Sequence, residues 1–154
     1  MATGNAQEHT GAASHKFTVI SLPKFYKEKG VIFDSDYSVG IEMHGMRGRF
    51  TPSISDITKA ERAFSDRYNE VQKANVDTKS YFSHWVRQYV GLIDSNGNKN
   101  IIVQLIDNTK KRKLIRKLGK NWETSFVVYF ADPYPGLGIV FRINIDTGNM
   151  TTNL

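Results

Sequence analysis

"YFSHWVRQYVGLIDSNGNKNIIVQLID", residues 81 to 107, is the stretch on which the fold turns. Two runs rich in β-branched and aromatic residues flank Asn96-Gly97, a pair that tolerates the positive φ of a tight hairpin turn. The stretch therefore predicts two antiparallel strands. A strand alternates its side chains, so Trp85, Arg87 and Tyr89 share one side and Val86, Val90 and Leu92 the other. If the aliphatic side meets a helix, the aromatic and arginine side is left partly exposed. It could then stack on a sugar, a base or a partner's side chain. The competing reading packs Trp85 and Tyr89 beneath the leader or the long loops.

The helix comes just before. In "TPSISDITKAERAFSDRYNEVQK", residues 51 to 73, Ser53 can cap the backbone N–H of Asp56, which favours a first turn. Ile54, Ile57, Ala60, Phe64, Tyr68 and Val71 recur every three or four residues and build one apolar stripe. Glu61, Arg62, Asp66, Arg67 and Glu70 fall on the wet side. Upstream, "KFTVISL" predicts a strand stopped by Pro23, and "YKEKGVIFDSD" a charged connection around a short apolar patch. "YSVGIEMHG" predicts another strand, ended by Gly45, Gly48 and Pro52. Downstream, "SFVVYFA" and "GIVFRINID" predict a second strand pair around the loop "DPYPGL". Residues 1 to 15 are small and polar and predict a disordered leader; residues 16 to 154 predict a single domain. The fold class expected is α+β: one long helix on a curved antiparallel sheet of about four to six strands.

The net charge is +6, and its distribution is uneven. Lys110, Lys111, Arg112, Lys113, Arg116, Lys117 and Lys120 contribute +7 within "TKKRKLIRKLGK", so the rest of the chain sums to −1. A nucleic-acid binder usually spreads its cations over a face fitted to the backbone, and no specific nucleic-acid motif is present. The segment could draw an acidic protein, an anionic polymer or a membrane surface, each contact weak and salt-sensitive. Leu114, Ile115 and Leu118, with a helical turn around them, would anchor it to the domain. The alternative is a solvated connection. Tyr134, in the Pro- and Gly-rich loop, is a further binding candidate, because loops on rigid sheets often carry recognition.

Together, "GRFTPSISDITKAE", "RQYVGLIDSNGNKNIIVQL", Trp122 and "VVYFADPYPGLGIVFRINID" resemble a family of small, often exported bacterial proteins. That family shows a Thr-Pro helix start, a Q-Y-x-G hairpin strand and a late V-x-D-G-G strand pair. The resemblance spans roughly residues 47 to 146 and departs at "DPYPGLG", which replaces a short glycine turn. It implies a cystatin-like roll and carries over no catalytic residue. Inhibition of cysteine proteases does not follow: Gln88-Tyr89-Val90-Gly91 misses the cystatin Q-x-V-x-G spacing, and no Pro-Trp pair exists.

Several chemistries are not signalled. Cysteine is absent, which removes thiolate metal sites and thiol nucleophiles. His9, His15, His44 and His84 show no metal-ligand spacing, and neither G-x-S-x-G nor a phosphate loop occurs. No cofactor is implied. No apolar run reaches the roughly 18 to 20 residues that cross a bilayer. The start lacks a signal peptide, so the chain is cytoplasmic unless such a segment was removed, in which case it is exported. The expected function is a non-catalytic binding module with a basic docking segment. The alternative is a small enzyme or ligand-binding protein with a pocket between helix and sheet, marked by His84 and Gln88 facing inward.

Overall fold

The computed structural model describes residues 16–22, 26–39, 45–126 and 136–152. At its centre lies the hairpin. Strands β4 (Trp85–Asp94) and β5 (Lys99–Asp107) pair antiparallel from Trp85↔Asp107 to Ile93↔Lys99. The turn differs in detail from a two-residue Asn-Gly turn. Gly97 has φ 83°, but Asn96 is not left-handed. Gly97 N–H donates to the Asp94 carbonyl at 3.0 Å, and Asp94 N–H to that of Asn98 at 3.0 Å. This is a type I turn closed by a left-handed glycine, which needs positive φ at one position only. The Asp94 carboxylate accepts the Asn96 and Asn98 N–H groups, both at 2.9 Å, and Asn100 Nδ2 at 3.1 Å. These donors, that of Asn98 foremost, hold its pKa below the usual carboxylate value.

The sheet grows outward on both sides. Strand β6 (Gly138–Asn144) pairs with β5, and β7 (Met150–Thr151) with β6, both antiparallel. On the other flank β1 (Phe17–Ser21) pairs antiparallel with β2 (Lys29–Phe33). Strand β2 runs parallel to β4 from Gly30↔Arg87 to Phe33↔Val90. Strand β3 (Met46–Phe50) runs antiparallel along the remainder of β4, to Phe50↔Gly91. So β2 and β3 share one side of β4, end to end.

Among the described residues the result is a mixed sheet of seven strands, larger than the four to six expected and not wholly antiparallel. The parallel pair was hidden because β2 is short and flanked by charge. Lys29 is exposed, yet Val31, Ile32 and Phe33 are buried. Of the strand expected over residues 37 to 45, residues 40–44 lie outside the described ones; strand β3 begins at Met46 and runs through Gly48, which was expected to close a strand. Residues 127–135, with most of the expected "SFVVYFA" strand and Tyr134, also lie outside them.

Helix α1 (Ile54–Gln72) follows the sequence closely. Ser53 Oγ accepts Asp56 N–H at 3.1 Å and Asp56 Oδ2 accepts Ser53 N–H at 3.0 Å, a capping box that satisfies two orphan donors. The helix ends at Lys73, which takes φ 50° without being glycine. Ile57, Ala60 and Phe64 are buried, and Tyr68 and Val71 pack beside them. Ile54 departs from the stripe and is 60% exposed. A short helix, α2 (Thr78–Tyr81), leads into β4.

Both faces of the sheet are buried, which is the main departure from a helix-on-sheet layer with one wet side. Odd positions of β4 and β5 meet α1: Tyr89, Ile101, Val103 and Leu105 join Phe64, Phe82 and Phe141 in one core. Even positions form two further clusters. Val90, Leu92 and Ile102 pack with Val31, Phe33 and Phe126; Val86 and Ile106 pack with Leu114, Trp122 and Leu137. Strands buried on both faces read as continuous apolar runs, as "IIV" and "YVGLI" do.

Candidate functional site

The basic segment is anchored along one apolar side and exposes its cations on the other. After a 3₁₀ turn (Asn108–Lys110), helix α3 spans Lys111–Leu118. Leu114 is fully buried against Val86, Ile106 and Trp122, while Ile115 and Leu118 pack beside it. Lys110, Lys111, Arg112, Lys113, Arg116, Lys117 and Lys120 are all exposed. The apolar residues therefore do tether the segment, as the sequence predicts. Asp107 caps the preceding turn, taking Thr109 N–H at 3.1 Å and Thr109 Oγ1 at 2.6 Å. Lys110 lies 3.6 Å from Asp107 and donates to the Gly136 carbonyl.

No acidic residue stands in the first turn of α3, which instead carries Lys111, Arg112 and Lys113. Cations there oppose the helix dipole, so this arrangement weakens the helix locally.

Trp85, Arg87 and Tyr89 sit elsewhere and face α1, contrary to the expected exposed aromatic side. Arg87 and Tyr89 are fully buried and Trp85 is half-buried. Aliphatic Val86, Val90 and Leu92 occupy the opposite face. The reversal follows from Glu61. This residue of α1, placed on the wet side by periodicity, turns inward and accepts Tyr89 Oη at 2.6 Å and Arg87 Nε at 3.2 Å. Arg87 Nη1 donates to the Phe82 and Trp85 carbonyls, each at 2.8 Å, and its guanidinium lies 3.6 Å from the centre of the Tyr26 ring. A buried arginine needs such partners, since an unpaired buried charge is very costly. Burial first, and then Glu61, pushes the Tyr89 phenol well above its ordinary pKa and raises Tyr26 too.

Gln88 does point into the fold, but on the face away from α1. Its Nε2 donates to the carbonyls of Glu123 at 2.8 Å and Ser125 at 3.0 Å, and its Oε1 accepts Gln104 Nε2 at 2.9 Å. It clamps the segment after α3 onto the sheet. His84 is exposed. Gly91 permits a close crossing: a Cβ there would lie 2.4 Å from the Phe50 carbonyl oxygen. The Q-Y-x-G run thus has packing reasons at each marked position.

Among the described residues, no cluster of three or more His, Asp or Glu side chains could hold a metal ion, and no helix is long and apolar enough to cross a membrane. Comparison with family models, with curated proteins and with solved structures finds no match to this chain.

Proposed function

We propose that the protein is a non-catalytic docking module that presents the outer face of α3 to an acidic protein partner. The observation that carries this reading is the combination in α3 of a buried Leu114 with exposed cations on the turns around it. A stretch that served only to cover Val86 and Trp122 would gain stability from acids in its first turn. This one has cations there instead.

The same geometry argues against insertion into lipid. An interfacial helix needs a free apolar face, and here Leu114, Ile115 and Leu118 are already used against the core. What remains is long-range attraction, which speeds encounter and fades with salt. The long α1 laid on the β4–β5–β6 meander supports reading the fold as a cystatin-like roll, the relation that the Q-Y-x-G run suggested.

The test is retention on immobilised poly-glutamate and on vesicles containing anionic lipid. Replacing Lys111, Arg112, Lys113 and Arg116 with Gln should sharply reduce retention on the polypeptide. Equal retention of both forms overturns the proposal, and retention on vesicles alone would make the surface a membrane site instead.

A further inference from the structure

We infer that two copies of this chain pair through β1, antiparallel and edge to edge, into a dimer with one continuous sheet. Among the described residues β1 pairs only with β2, while β3 and β7 likewise pair on one side only. Those two carry the usual protections of an edge. Strand β3 holds Arg47 and Arg49 and is irregular between Met46 and Gly48, and β7 has only two residues. Strand β1 has no such protection. Phe17–Ser21 is uncharged, its register runs unbroken from Phe17↔Phe33 to Ser21↔Lys29, and Val19 is 50% exposed.

The direction of its backbone groups follows from one bond. Asp34 N–H donates to the Lys16 carbonyl at 2.8 Å, and these two residues stand opposite each other in the register that continues from Phe17↔Phe33. In an antiparallel pair, opposed residues that bond alternate with opposed residues that do not. Lys16, Thr18 and Ile20 therefore bond inward to β2, and Val19 and Ser21 turn their N–H and carbonyl groups outward.

A two-fold axis at Ile20 sets Val19 of each copy opposite Ser21 of the other, where they exchange both bonds on either side of the axis. Ile20 then meets Ile20, and Thr18 meets Leu22, with no charge set against a like charge. An axis at Val19 would instead set Lys16 against Leu22.

A second copy is the occupant because it leaves no open strand behind. A strand from any other protein would cover β1 and present a new outer edge of its own. Two-fold pairing uses one edge twice and closes it. Opposed residues of the pair lie on the same face, so both α3 helices come to one side of the joined sheet. On the docking reading above, the dimer offers an acidic partner two basic helices at once; the pairing itself does not depend on that reading.

The experiment is sedimentation equilibrium of the full chain. The contact is small, so a dimer with a Kd on the order of 100 µM is expected. Val19→Pro removes an outward N–H and no inward bond, so it should keep the fold and leave the chain monomeric. The chain has no cysteine, so introduced thiols report the register. Val19→Cys mixed with Ser21→Cys should form a disulfide-linked dimer at least about fivefold faster than either variant alone. Opposed Cα atoms lie about 5.5 Å apart, within reach of a disulfide, whereas each residue lies more than about 7 Å from its own copy. A monomeric mass up to about 1 mM, unchanged association of Val19→Pro, or equally fast cross-linking of one variant with itself would each overturn the inference.

Discussion

The two faces of the sheet are held by different chemistry. Against α1 lies a large core of aromatic and aliphatic side chains with one charged group at its edge, where Glu61 takes Arg87 and Tyr89. On the other face smaller clusters are closed by neutral amides, with Gln88 gripping the carbonyls of Trp122, Glu123 and Ser125 and Gln104 supporting it. The α1 face thereby satisfies its buried arginine from within the fold. On the α3 face only the inner side of the covering helix serves the core, which leaves its outer side free to carry charge.

That contrast can be broken at graded points. Phe64→Ala should produce the largest loss, about 3 to 5 kcal/mol by denaturant unfolding, since Phe64 is fully buried among Phe82, Tyr68 and Phe141. A loss below about 1 kcal/mol would mean that α1 is not packed as described.

Tyr89→Phe should cost about 1.5 to 3 kcal/mol at neutral pH, the range for a hydrogen bond to a charged group. The sign of its pH dependence is set by the raised phenol pKa. The tyrosine's contribution is fully present below about pH 10, the unfolded value, and is lost as pH rises toward the folded pKa. Wild type should therefore lose more stability than the phenylalanine variant between neutral and strongly alkaline pH. Parallel pH profiles would contradict the Glu61 contact.

Gln88→Ala sharpens the comparison on the other face. It frees the Glu123 and Ser125 carbonyls and one end of Gln104, for an expected loss of about 1 to 3 kcal/mol. Faster amide exchange after α3, with α1 unaffected, should accompany it. A loss spread evenly over both faces would show the amide clamp to be global. Gly97→Val should cost less, about 1 to 2 kcal/mol, because only the left-handed conformation at φ 83° resists the new side chain and the space around it is open. An unchanged melting temperature would show that this glycine does not set the turn.

What the sequence made legible was local and periodic. The alternation around Asn96-Gly97 and the three-to-four spacing from Ile57 to Val71 are long enough to rise above chance, and Ser53 with Asp56 marks the helix start within four residues. Strand β2 was illegible because four buried residues between charges have no period. Glu61 was read as solvated because helical spacing ranks it with Arg62 and Asp66. Its inward turn depends on Arg87, distant in sequence and on another element. A signal did exist. An arginine in the middle of an apolar strand run requires a carboxylate from somewhere, and the wet edge of the neighbouring helix is where one could be found. Ile54 was counted into the helix stripe by spacing alone, and it proved not to be needed by the core.

The central claim is that α3 carries docking charge that the fold does not require. The most direct measurement is the salt dependence of binding to a soluble acidic polypeptide, made alongside thermal unfolding, for wild type and for the variant with Lys111, Arg112, Lys113 and Arg116 changed to Gln. The account predicts a change in stability within about 0.5 kcal/mol, because these side chains are exposed, together with weaker binding that falls less steeply with salt. Binding with the same strength and the same salt slope in both proteins would contradict it.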